Sequence, residues 1–180
     1  MNVVKVFVIF IVLMLIWMFN LIIRENNLAK KAFATVDVYL RKRYDLVPNL
    51  VEIVKAHATH EKEVFENITN ARTKVLESTS EDETVKNDNE LNNAIKSLFM
   101  IAEQYPNLKT NKSFVELQKK LTDLEDELAA ARRTYNAAAT EYNTTLESFP
   151  TNLMGKLMRK KQKELFVVND DIRNAINMKF

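Results

Sequence analysis

Residues 114–149 read FVELQKKLTDLEDELAAARRTYNAAATEYNTTLESF, and their spacing decides the fold class. Phe114, Leu117, Leu121, Leu124, Leu128, Ala131, Tyr135, Ala138, Tyr142, Thr145 and Phe149 follow one another in alternating steps of three and four. That period of about 3.5 predicts a single helix with a left-handed packing seam about 50 Å long. Ser113 and Glu116 have the spacing of a capping box at its start, and Phe149-Pro150 ends it. Alanines at 129–131 and 137–139 would let a neighbouring helix approach closely. A seam of this length needs partner helices to cover it.

The partners lie upstream. Leu28, Ala32, Val36 and Leu40 form one stripe, interrupted at Asp45-Leu46-Val47-Pro48. Proline lacks a backbone donor and restricts the residue before it, so Pro48 either opens a second helix or kinks a long one. Leu50, Val54, His57, Glu61, Val64, Ile68, Ala71 and Val75 continue the helical spacing. The polar, acidic stretch from Ser78 to Asn89 reads as the longest loop. A shorter helix follows through Leu91, Ile95, Leu98, Met100, Ile101 and Ala102 and ends at Tyr105-Pro106. The chain holds one glycine and three prolines, too few for a turn-rich sheet protein. The expected fold is all-α, an antiparallel four-helix bundle.

Before the first stripe, Val3 to Ile23 is apolar except for Lys5 and Asn20. Those 21 residues make about 31 Å of helix, enough to cross the hydrocarbon core of a bilayer. A cleaved secretory signal would have a shorter apolar run and a small-residue cleavage site, whereas this run meets Arg24-Glu25-Asn26-Asn27 directly. The expectation is an uncleaved N-terminal transmembrane helix that continues into the first helix of the bundle. The organisation is then an anchor at 1–23, a helical bundle at 24–149 and a basic C-terminal tail at 150–180. Lys5 precedes the span's midpoint, and Arg24, Lys30, Lys31, Arg41, Lys42 and Arg43 follow the span. That imbalance favours a cytoplasmic bundle with the N-terminus outside.

Composition narrows the chemistry. Lys+Arg 26 against Asp+Glu 24 leaves no global basic field to recruit nucleic acid. Zero cysteines exclude disulfides and thiol catalysis. A single glycine cannot build a phosphate-cradling loop, and no nucleophile–base arrangement is readable, so neither catalytic nor cofactor-binding residues are expected. His57, His60 and Glu61 invite a metal hypothesis, but the order matches neither zincin motif nor the paired Glu-x-x-His of carboxylate bundles. The better reading pairs His57 with Glu61 one turn on, as part of the seam. Arg43, Asn49, His57, Glu61, Arg132 and Asn136 are candidate polar rungs between helices, with Asn143 and Arg133 beside them. Such buried groups must be hydrogen-bonded and thereby fix helix register. In the tail, Lys156, Arg159, Lys160, Lys161 and Lys163 are either a solvated segment or a contact for anionic lipid.

Several segments taken together resemble the LemA family. They are the N-terminal span with Asn26-Asn27-Leu28, and Arg41-Lys42-Arg43-Tyr44-Asp45-Leu46-Val47-Pro48-Asn49-Leu50-Val51. His60-Glu61-Lys62-Glu63, Ala71-Arg72 and Ile101-Ala102-Glu103-Gln104-Tyr105-Pro106 follow in order. Ala131-Arg132-Arg133, Tyr135-Asn136, Tyr142-Asn143 and Phe149-Pro150 with Asn152-Leu153 complete the set. The resemblance implies a bacterial membrane protein with a helical bundle on one N-terminal anchor and no established enzymatic activity. A magnetosome-associated relative implies membrane-organising work. The chain departs from the pattern at His57, where an aromatic residue is usual, and in its basic 156–163 segment.

The function expected is a membrane-anchored scaffold or protein-interaction module without catalysis, cofactor or metal. Its partners would be the bilayer through residues 3–23, a protein, and a second copy in a homo-oligomer. The alternative is an accessory metalloprotein or enzyme built on His57, His60 and Glu61.

Overall fold

In the computed structural model, which describes residues 2–166, every regular element is an α-helix. They are α1 (Asn2–Lys55), α2 (Lys62–Leu76), α3 (Glu81–Ala102), α4 (Pro106–Lys109), α5 (Lys112–Glu147) and α6 (Thr151–Leu157). Residues 167–180 of the expected tail lie outside the described residues.

The apolar segment and the first helix of the domain are one element. Residues 2–17 are exposed throughout, and burial begins at Met18 and Ile22. By length and composition α1 can cross a bilayer.

Of the two readings of Pro48, the start of a second helix is excluded and the long helix is found, since α1 passes through it to Lys55. The reason is local. A proline at position 48 deprives the carbonyl of Tyr44, four residues back, of its helical donor. Arg72 on α2 donates from Nε to that carbonyl at 2.8 Å. The break falls instead at 56–61, so the 50–75 stripe is divided between two helices. Arg72→Met should orphan the Tyr44 carbonyl and cost about 1–3 kcal/mol. In a Pro48→Ala background, where an amide restores the helical bond, the same change should cost less. A double-mutant cycle on urea unfolding reads the difference.

The acidic 78–89 stretch is a helix start, not a loop. Ser80 accepts a hydrogen bond from the Glu83 amide at 3.2 Å, and Glu81, Asp82 and Glu83 occupy the first turn of α3. Carboxylates there face the positive end of the helix dipole, which makes the charge run an asset to the helix. Capping also corrects the start of α5. Asn111 accepts from the Phe114 amide at 3.1 Å, and Ser113 lies inside the helix.

Two antiparallel pairs dominate the packing, α1 with α5 and α2 with α3. Arg43 meets Glu125 and Phe33 meets Tyr135, which sets the α1–α5 register. Val36, Leu40, Val47 and Leu50 of α1 share one core with Ile68, Leu91, Ile95, Leu98, Leu117, Leu121 and Leu128. The α5 seam drifts in its last third. Ala139, not Ala138, is fully buried, and Phe149 is 80% exposed. A helix near 3.6 residues per turn rotates away from a strict 3.5 repeat, and this one follows its own period.

Candidate functional site

The most polar part of the interior lies where α1, α3 and α5 meet. Arg43 is fully buried and donates from Nη1 to Asn92 Oδ1 at 2.5 Å and to Glu125 Oε1 at 2.7 Å. Its Nη2 pairs with Asp88 Oδ1. Arg132 donates to the other Asp88 oxygen at 2.5 Å and stands 3.8 Å from Glu125. The Tyr44 hydroxyl donates to Asp88 at 3.2 Å. Two guanidinium groups and two carboxylates thus cancel in charge, all within the protein interior. Ions taken from water at this depth survive only with such mutual pairing.

Burial opposes the charge of Arg43, but Asp88 and Glu125 outweigh it and hold its pKa above the ordinary value. Burial first and Asp88 second push the Tyr44 hydroxyl well above its usual range. Tyr135 is raised by burial and by Glu81 and Asp82, and Tyr142 by burial. Folding holds these phenols neutral, so their contribution is complete below the ordinary tyrosine value of about 10. It is lost as pH rises beyond it, because the unfolded chain releases protons that the folded one keeps. Stability should therefore fall above about pH 10, and Tyr44→Phe should flatten the fall, as read by alkaline titration of helical circular dichroism.

A second set of contacts ties the chain after α6 back onto α5. Asn136 exchanges two hydrogen bonds with the backbone of Phe166, at 2.8 and 2.9 Å. Asn143 does the same with the backbone of Lys163, at 2.9 and 2.8 Å. The Tyr135 hydroxyl donates to the Glu164 carbonyl at 2.9 Å. Phe166 is buried against Phe33 and Tyr135, with the Arg132 guanidinium 5.4 Å from its ring centre. Lys163 pairs with Glu81.

The sequence-derived candidates fall unevenly on these two assemblies. Arg43 and Arg132 meet in the charge cluster, and Asn136 binds the returning backbone, not another helix. Asn49 is exposed on α1, since Val47, Leu50 and Val54 supply that helix's buried face. His57 is also no seam residue. It lies exposed in the turn after α1, where Ala58 is the buried residue. His60 is exposed in the same turn, and Glu61 is the half-buried residue ahead of α2, with no capping bond from its side chain. Among the described residues, no three His, Cys, Asp or Glu side chains converge as a metal site would require. Lys163 is paired with Glu81, while Lys156, Arg159 and Lys161 are exposed and Lys160 is half-buried.

Asp88, Asn92, Glu125 and Tyr44 were not anticipated. The signal for two of them exists. Val85, Asp88, Asn92, Ile95 and Phe99 form a three-four stripe once the helix is extended back to Glu81.

Chemically the cluster is a lock, because each charge is spent on another charge of the same domain. Two segments noted for their resemblance meet in the Arg72–Tyr44 bond, and a third contributes Arg132. Residues 32–180 match the model of the LemA family. The chain belongs to the LemA family. Among curated relatives, Protein LemA of Metamycoplasma hominis is 26% identical over 141 residues, covering 76% of this chain and 63% of the relative. Magnetosome protein MamQ 2 of Paramagnetospirillum magneticum is 25% identical over 168 residues, 79% of this chain and 61% of the relative. Magnetosome protein MamQ of Magnetospirillum gryphiswaldense is 24% identical over the same length, with 79% and 61% coverage. The chain thus spans about three-fifths of the length of these LemA relatives.

Proposed function

We propose that this LemA-family chain is a single-pass protein of a bacterial membrane whose helical domain acts as a scaffold or protein-interaction module without catalysis. The observation that carries the reading is the continuity of α1. One helix provides both the apolar segment and a wall of the core, so the domain is held rigidly at the membrane. The four long helices α1, α2, α3 and α5 are taken as an antiparallel bundle, its register kept by the Arg43–Asp88–Glu125–Arg132 cluster. The relatives named as magnetosome proteins support membrane-organising work. Its partners are a protein and, in a homo-oligomer, a second copy. Nucleic acid is not among them. The metalloprotein alternative gains nothing from His57 and His60, which stand in an exposed turn.

Crosslinking the full chain in intact membranes and isolating it tests the reading. A defined protein, or the chain itself, should be recovered in a fixed ratio and be lost when the domain is unfolded by substitution. Recovery with lipid alone would remove the interaction role. Stoichiometric metal in the purified chain, lost on His57→Ala, would restore the alternative.

The flank bias of six Lys and Arg over Lys5 supports a cytoplasmic domain, since a cationic flank resists translocation against the membrane potential. Thr59→Cys supplies a single thiol in an exposed turn of a cysteine-free chain. It should resist a membrane-impermeant thiol reagent in intact cells and react after lysis. Labelling before lysis would reverse the topology.

A further inference from the structure

Helix α6 is built inside out for a water-facing element. Its small residues Thr151 and Gly155 are buried, one turn apart. A Cβ at Gly155 would come within 2.7 Å of Leu146 Cδ2, so this face lies close against α5. On the opposite face Leu153 is 59% exposed and Leu157 78% exposed, and Phe149 just before the helix is 80% exposed. Large apolar side chains turned outward belong to a lipid-facing or partner-facing surface.

Its place in the fold says which. The register that sets Arg43 against Glu125 and Phe33 against Tyr135 brings Glu147, the end of α5, level with Leu21 of α1. Helix α6 follows directly and packs against both α1 and α5. Met18 and Ile22, in the last turns of the apolar segment, are buried while residues 2–17 are bare. Any bilayer crossed by Val3–Ile23 therefore reaches the level of α6. The chain then turns back sharply through Arg159, whose φ is 51°, and climbs away along α5. Lys156, Arg159, Lys160 and Lys161 are gathered at that turn.

We propose that α6 and the turn after it form a second membrane contact, a foot in which Phe149, Leu153 and Leu157 enter the interface of the bilayer while Lys156, Arg159, Lys160 and Lys161 meet anionic headgroups. Apolar side chains beside a basic rim are the combination that binds such an interface. Lys163 stands apart from the foot because Glu81 already holds it. With the anchor as one contact and the foot as another, the domain would be fixed in height and rotation, not merely tethered. The inference rests on the span read for Val3–Ile23.

The chain has no cysteine and one tryptophan, Trp17, inside the span, so the two ideas can be read separately. Leu153→Cys, Leu157→Cys and Thr59→Cys, each in the full chain and labelled with an environment-sensitive fluorophore, are reconstituted in phosphatidylcholine vesicles with and without phosphatidylglycerol. Labels at 153 and 157 should emit further to the blue than the label at 59 and be quenched by lipids brominated high on the acyl chain. Adding phosphatidylglycerol should strengthen the quenching, and Lys156→Glu with Lys160→Glu should abolish that gain. A label at 153 that behaves like the label at 59 while brominated lipid quenches Trp17 would overturn the foot alone. A blue-shifted label that brominated lipid does not quench means protein covers the face, which also overturns it. Loss of quenching at Trp17 as well would sink the span with the foot.

Discussion

Asp88→Ala should lower the stability of the helical domain by about 3–5 kcal/mol, the cost of breaking a buried ion pair by removing one partner. Asp88 is wholly buried between Arg43 and Arg132 and also accepts from Tyr44. Without it, two buried guanidinium groups face the single carboxylate of Glu125. Against a typical total of about 5–15 kcal/mol, such a loss leaves a domain near its unfolding threshold. Urea unfolding of the full chain, followed by helical circular dichroism, measures it, with the exposed Asp123→Asn as the control. A change no larger than the control's would mean that the cluster is already solvated. Replacing Arg43, Asp88, Glu125 and Arg132 together by apolar residues of similar volume should recover much of the loss, since the penalty comes from unbalanced charge and not from missing contacts. If stability returns but crosslinking in membranes becomes indiscriminate, the cluster's role is register.

Leu121→Asp should be at least as damaging. Leu121 is 1% exposed within the shared core of α1, α2, α3 and α5. Losing its side-chain packing alone costs about 2–5 kcal/mol, and an unpaired carboxylate in its place adds a desolvation penalty. Asp123→Leu, two residues along on the exposed side of α5, should be near neutral. The expected outcome is loss of the cooperative unfolding transition for the first variant and an unchanged midpoint for the second. Equal effects would show that the seam of α5 faces another direction.

Both expectations draw on information of different range. The seam from Phe114 to Leu128 was legible because helical spacing is a local property, and each buried leucine declares its face by distance along the chain. The apolar helix over Val3–Ile23 was legible for the same reason, as length and apolarity are one-dimensional quantities. The choice between the two readings of Pro48 was not legible, because it depends on Arg72, a residue 24 positions further on whose donor no local rule could supply. The acidic run at 81–83 was misjudged because helix starts and solvated loops share a composition, and only the Ser80 cap and the packing of Asp88 separate them.

Local pattern therefore established an all-helical chain, with one helix long and apolar enough to cross a bilayer, and the faces that most of its helices bury. Which polar groups meet across those faces was a matter of register, and register belongs to pairs of helices. Arg43 could have found any carboxylate, and it meets Asp88 and Glu125 because α3 and α5 pack at one height against α1. The outward turn of Leu153 and Leu157 was likewise beyond reach. Their spacing alone says that they share a face, while the close seat of Gly155 against Leu146 decides that this face is the one left uncovered.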